Sequence, residues 1–173
     1  MKIDKTFQVN AAQKEVWELI TSPEQVATCL PGVEEVSQEA SGKYKGTMNI
    51  KVGPIKTSVK ADVDEIEQRA PEFASYTIKG EEGGRASRLN ANAALTLAPV
   101  TGEQTTVSFV ADVVIVGRLG KFAGGVMNKL ADSMSEQFIV AFRTHLEGEP
   151  PAVEAKASLW TRFTAWLRSL FKS

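Results

Sequence analysis

The stretch Val107-Ser108-Phe109-Val110-Ala111-Asp112-Val113-Val114-Ile115-Val116-Gly117, with the Phe122, Val126, Met127, Leu130, Met134, Phe138 and Phe142 that follow it, decides the fold. Up to Gly117 apolar side chains recur at every second position, which is the period of a strand. Beyond Gly120 they recur every third or fourth position, which is the period of a helix. The second pattern predicts one long amphipathic helix over 120–147, closed by Gly148. Leu119, Val126, Met127, Leu130, Met134, Phe138, Ala141 and Phe142 share its apolar face; Lys129, Asp132, Glu136, Arg143 and Glu147 share the solvated one.

Upstream, alternation predicts strands over 33–38, 43–52, 55–67, 73–80, 87–98 and 104–116. The turn signals between them are Ser41-Gly42, Gly53-Pro54, Ala70-Pro71, Gly83-Gly84 and Thr101-Gly102. Such short connections join antiparallel neighbours, so these strands form a meander. Ile3, Lys5, Phe7 and Val9 alternate in the same way and bring the strands to seven. Asn10 is placed to cap a short helix through Val16, Trp17, Leu19 and Ile20. Ser22-Pro23 starts a second short helix, which Leu30-Pro31-Gly32 ends in a turn. The predicted class is α+β, a helix-grip: a seven-stranded curved antiparallel sheet wrapped around a long C-terminal helix. Residues 1–147 form that ligand-binding domain, 148–157 a Pro-containing linker, and 158–173 a separate amphipathic tail helix.

The inward positions of the strands are unusual in size. They include Tyr44, Gly46 and Met48, then Ala61, then Ala91 and Ala93, then Phe109 and Ala111. Small residues at 46, 61, 91, 93 and 111 supply little volume where native interiors fill to a packing density of about 0.75. Either Phe122, Met127, Met134, Phe138 and Phe142 of the helix fill that space, or a guest does. The candidate pocket is therefore Tyr44, Met48, Ala61, Ala91, Ala93, Phe109 and Ala111 on the sheet. Leu119, Phe122, Val126, Met127, Leu130, Met134 and Phe138 face them from the helix.

The tail is the sharpest local pattern. Leu159, Trp160, Phe163, Trp166, Leu167, Leu170 and Phe171 fall within an arc of roughly 140° at about 100° per residue. Arg162, Arg168 and Lys172 lie among the polar remainder, which holds no acid. Aromatic groups on one face and cations on the other mark a helix that lies in a bilayer interface. Docking on a partner protein or back on the domain are the competing readings, and the linker with Pro150-Pro151 weakens the last. The chain's net charge is −1, and the four cations from Lys156 onward leave −5 on the residues before them. An acidic body argues against nucleic acid as a partner.

Other chemistries find little support. Cys29 is the only cysteine and His145 the only histidine among 173 residues, so a disulfide, a metal site and a hydrolytic triad are not expected. Cys29 reads as a small buried thiol and His145 as a surface group at a helix end. Gly80-Glu81-Glu82-Gly83-Gly84 is glycine-rich but acidic and lies in a hairpin, which does not suit a phosphate cradle. Asp62, Asp64, Glu65 and Glu67 read as a solvated outer face. No apolar run is long enough to span a bilayer, and Met1 to Phe7 holds no signal-like stretch, so export is not expected.

Several pieces of the chain, in order, resemble the carbon monoxide dehydrogenase G-subunit family of the START-related helix-grip (SRPBCC) superfamily. They are Glu15-Val16-Trp17-Glu18-Leu19-Ile20, Leu30-Pro31-Gly32, Lys51-Val52-Gly53-Pro54-Ile55-Lys56 and Gly117-Arg118-Leu119-Gly120-Lys121-Phe122-Ala123-Gly124-Gly125-Val126. Leu130-Ala131 through Glu136-Gln137-Phe138 completes the likeness, which covers about residues 1–147. Ser22-Pro23 stands where the family commonly has Asp-Pro, and Phe138-Ile139 where it has two phenylalanines. The resemblance implies a non-catalytic accessory protein for a molybdenum hydroxylase-type dehydrogenase, attached to the inner face of the cell membrane from the cytoplasmic side. It also implies a pocket suited to a lipid or a prenylated quinone such as menaquinone or ubiquinone. A cyclase or hydrolase of the same superfamily, or a pure protein adaptor with a filled core, are the alternatives.

Overall fold

Residues 1–122 and 124–148 are described by the computed structural model of the chain. The seven strands are β1 (Lys2–Val9), β2 (Val33–Ala40), β3 (Lys43–Val52), β4 (Ile55–Arg69), β5 (Phe73–Glu82), β6 (Ser87–Thr101) and β7 (Gln104–Gly117). They form one antiparallel sheet in the order β1-β7-β6-β5-β4-β3-β2. The meander follows chain order, and only β1 departs from it, pairing Lys2 with Asp112 and Val9 with Thr105 on β7. Each strand lies where alternation placed it, extended by up to a few residues.

Between β1 and β2 lie α1 (Gln13–Ile20) and α2 (Pro23–Cys29). Asn10 does not cap α1, contrary to expectation: Ala12 precedes the helix, and the Glu15 carboxylate accepts the Ala12 N–H. Asn10 instead donates its N–H to Glu147 and accepts from the Gln104 side chain. α2 starts as read, with Ser22 at the cap and Pro23 in the first turn.

The long helix α3 is Gly125–Glu147, five residues shorter at its start than the sequence period predicted. Leu119 and Phe122 keep helical spacing with Val126, but they sit on a separate 3₁₀ turn, Leu119–Phe122. Gly124 breaks the path with φ 101° and ψ −127°, a conformation that only glycine adopts without strain.

α3 crosses the sheet obliquely, from the β3–β4 hairpin near its start to β1 along its later turns. Three side chains expected on its solvated face latch it to β1. Asp132 takes a 2.7 Å ion pair from Lys5, Arg143 donates to the Gln8 carbonyl at 2.9 Å, and Glu147 accepts the Asn10 N–H at 2.7 Å. The residues read as a linker and an amphipathic tail fall almost wholly beyond residue 148, outside the described residues.

Candidate functional site

The core is divided along α3. At the C-terminal end Phe142 is fully buried, stacks on Phe138 at 5.3 Å and meets Phe7 edge-on at 6.2 Å. Val9, Val16, Trp17, Leu97 and Val107 complete that cluster. At the N-terminal end Val52, Leu119 and Met127 are buried together, with Ile55, Phe122 and Leu130 packed against them. Between them, on β6 and β7, lies a third cluster of Ala91, Ala93, Ala111 and Val113, with Met1 and Ile3 from the start of the chain and Ile78, Leu89, Phe109 and Ile115 packed against it. No residue of α3 belongs to it.

Registers explain the patch. Ala93 faces Ala111 across β6 and β7, and Ala91 faces Val113. Farther along, Gly46, Ala61 and Gly80 form a row of small residues across β3, β4 and β5. A side chain at Gly80 would press Val59 and Leu89 at 3.2 and 3.3 Å, because those two side chains already lean over it. The larger inward residues Met48, Val63, Ile78, Leu89, Phe109 and Met134 all keep solvent contact. A filled core would bury them. Helix and sheet thus pack against each other at two ends, and the cleft between them is the apolar stretch of sheet on which no α3 residue of these clusters packs.

Of the residues read as a pocket, Ala91, Ala93 and Ala111 are buried at the floor, and Tyr44, Met48, Ala61 and Phe109 are half-buried on the same face. Leu119, Phe122, Met127 and Leu130 close one end and Phe138 the other. Met134, half-buried, belongs to none of the three clusters. Val126 is 42% exposed beside a buried Met127, because one residue along a helix turns the side chain by about 100°. Two shallow depressions of about 400 and 330 Å³ are lined mainly by outward residues such as Lys45, Lys60 and Asp62, and Ser75, Thr77 and Asn92, and each also touches an inward position, Ala61 in the first and Ala93 in the second.

Three polar residues on the apolar face, Glu82, Tyr76 and Glu65, were not placed there by the sequence reading. Glu82 follows Ala74, Tyr76, Ile78 and Gly80 in the inward alternation of β5 and is 1% exposed. Arg118 donates to its carboxylate, and Ser87 donates at 2.6 Å. The Arg118 guanidinium above all, with Ser87 and Thr57, outweighs burial and holds the Glu82 carboxyl down at about 2. On the same face Tyr76 stands opposite Ala93, with Glu65 opposite Tyr76 and Tyr44 opposite Val63. Burial, and then the Glu65 charge, push the Tyr76 hydroxyl up to about 12, and the same causes raise Tyr44. Both phenols stay protonated and can donate a hydrogen bond. Glu65, read as part of an outer face, is half-buried: it follows Ala61 and Val63 in the inward alternation, and the register shift after it returns Glu67 to the side of Asp62 and Asp64.

His145 is exposed and Cys29 is buried as a free thiol, as read from the sequence. Among the described residues no helix is long and apolar enough to cross a membrane, and no group of three or more His, Cys, Asp or Glu could hold a metal ion.

The architecture is shared with solved structures. A conserved protein from Geobacillus kaustophilus superposes with a TM-score of 0.76 at 18% identity, over 85% of this chain and 95% of its own. A START superfamily protein from Mycobacterium smegmatis gives 0.65 at 14% identity, over 84% and 97%. The Zhui aromatase/cyclase from Streptomyces sp. R1128 gives 0.55 at 18% identity, over 86% and 92%. At these identities the likeness establishes the START-like helix-grip fold. No curated protein matches by sequence. A family model does, over residues 6–147, and by that match the chain belongs to the carbon monoxide dehydrogenase G-subunit (CoxG) family.

Proposed function

We propose that the cleft holds a long apolar molecule with an oxygen-bearing head, a prenylated quinone or a similar lipid, and that the chain is a non-catalytic accessory protein. The observation that carries this reading is the central patch of Ala91, Ala93, Ala111 and Val113, which α3 leaves without a partner. An isoprenoid chain on that patch would remove apolar surface from water on both sides, at about 25 cal/mol per Å². Tyr76 and Tyr44, kept protonated, are the donors suited to a carbonyl head. Family membership supports a molybdenum hydroxylase-type dehydrogenase such as carbon monoxide dehydrogenase as the partner. The sequence pattern of Trp160, Phe163 and Trp166 with Arg162, Arg168 and Lys172 supports peripheral attachment to the inner face of the cell membrane.

The fold likeness to an aromatase/cyclase keeps an enzyme in view as the competing reading. The ionisable groups on the cleft face argue against it: Glu82 is locked in an ion pair, and the phenols are driven away from neutral pH. Organic extraction of gently purified protein followed by mass spectrometry tests the proposal. A stoichiometric quinone or lipid is expected; protein that is repeatedly empty, and takes up no menaquinone or ubiquinone from vesicles, overturns it.

A further inference from the structure

The end of the domain where α3 begins carries charges that the fold does not use. The β3–β4 hairpin turns there at Gly53-Pro54 and packs Val52 and Ile55 with Leu119, Phe122 and Met127. Lys51 and Lys56 stand directly opposite each other across the hairpin, a like-charge pairing that destabilises a sheet. Lys121 lies on the 3₁₀ turn beside Phe122, and Lys129 lies in the second turn of α3. All four lysines are exposed, and none forms an ion pair among the described residues, although residues before Lys156 sum to −5. Between them Pro54 and Val126 are exposed and Phe122 is half-buried. α3 has no side-chain cap and no acid in its first turn, so its unpaired N–H groups add positive potential at the same place.

We infer that this end of the domain is a docking surface for an anionic bilayer, with Pro54, Phe122 and Val126 entering the headgroup region and Lys51, Lys56, Lys121 and Lys129 meeting lipid phosphates. An apolar tip ringed by basic side chains is the arrangement that interfacial anchoring requires. The ring is built of lysine, which protein–protein interfaces avoid and anionic headgroups accept. The inference rests on the proposed reading in one respect, that the cleft draws its ligand from a bilayer. Chain length is consistent with it. The 23 residues of α3 span about 34 Å, and residues 148–157, fully extended, reach about 33–36 Å, so the segment from Ser158 can return to the same surface.

The test uses the full chain and flotation with phosphatidylglycerol-containing vesicles. Lys51→Glu, Lys56→Glu, Lys121→Glu and Lys129→Glu are combined in one variant. A second reverses Lys14, Lys43, Lys60 and Lys79, exposed lysines elsewhere, and changes the net charge equally. Both are made with and without Trp160→Ser, Phe163→Ser and Trp166→Ser, so that the tail cannot mask the result. The first set is expected to weaken binding by about tenfold or more in the tail variant, and the second to leave it within about twofold. An environment-sensitive dye on Val126→Cys should shift to the blue on these vesicles, and one on Ile66→Cys of the convex side should not. Equal loss in both sets, no loss, or no shift at position 126 overturns the inference. So does loss of binding to the dehydrogenase with vesicle binding intact, which makes the surface a protein dock. Docking that persists in a protein that takes up no quinone or lipid leaves this inference standing and removes the proposed function.

Discussion

Ser87 donates its hydroxyl hydrogen to Glu82 across 2.6 Å, and its oxygen accepts the Leu119 N–H at 2.8 Å. One side chain thus joins a buried carboxylate to the turn from which α3 starts. Arg118, the residue before that turn, closes the network on the other carboxylate oxygen.

Because the Glu82 carboxyl sits near 2 in the folded chain against an ordinary 4.5, the unfolded chain takes up its proton first as pH falls. The stability it contributes is complete above about pH 4.5 and is lost progressively towards about pH 2. Denaturant titrations between pH 6 and pH 3 should show this loss, and Glu82→Gln should flatten that part of the profile. Arg118→Ala, which leaves the carboxylate buried with only hydroxyl donors, should lower stability at neutral pH and raise the pH at which the remaining stability is lost. An unchanged profile in Glu82→Gln would show that the network does not hold the acid down.

The two ends of α3 should respond unlike its middle. Phe142→Ala removes a fully buried ring with two aromatic neighbours and should cost about 3–5 kcal/mol in chemical denaturation. Met134 is half-buried and packs in none of the three clusters, so Met134→Ala should cost less than about 1 kcal/mol in ligand-free protein, against about 2–5 for a packed methionine. A large loss at Met134 would mean that helix and sheet are packed there after all.

Ala93 lies at the floor of the cleft, opposite Ala111 and Tyr76. Ala93→Phe should abolish uptake of a quinone or lipid. Its cost in stability should be below the roughly 1–3 kcal/mol typical of overpacking, because the new ring enters open space. Full destabilisation with unchanged uptake would move the binding site elsewhere.

The aromatic side chains of the tail are expected to supply most of its affinity for a bilayer. Trp160→Ser, Phe163→Ser and Trp166→Ser together should lower vesicle binding by about a hundredfold while leaving the domain's melting temperature in place. Reversing Arg162, Arg168 and Lys172 to Glu should weaken binding on anionic vesicles alone, and added salt should reproduce that change. A peptide of residues 156–173 that ignores vesicles but binds the dehydrogenase would identify a docking helix instead.

Alternation made the strands legible because one face of most of them is largely apolar, and the turn pairs between them fixed antiparallel order. It misplaced the start of α3 because Leu119 and Phe122 continue the helical spacing through a 3₁₀ turn, and the break depends on the backbone at Gly124. The small inward residues were visible as missing volume, but whether α3 fills it depends on how the helix crosses the sheet, which no local pattern records. Glu82 was hidden because its partners are distant, with Arg118 lying 36 residues away. The acid stands at an inward position beside two glycines, and only the count along β5 distinguishes it from a solvated turn. Asp132, Arg143 and Glu147 look solvated on a helical wheel because their partners lie on β1 or, at Asn10, directly after it, more than 120 residues earlier in the chain.

The pairing of the first strand with the last sets the order in which this molecule can assemble. β2 to β7 can zip hairpin by hairpin as each strand leaves the ribosome, since every partner is the neighbour in sequence. β1 must wait, unpaired, for Asp112 and then for Asp132, Arg143 and Glu147, at a loop-closure cost no local contact repays beforehand. Its edge, with Ile3, Phe7 and Val9 alternating with the polar Asp4, Thr6 and Gln8, stays open to other nascent chains until then. The cleft therefore comes into existence in a single late event, when β1 and α3 dock together. The same two elements should exchange their amide hydrogens as one cooperative unit in the finished protein.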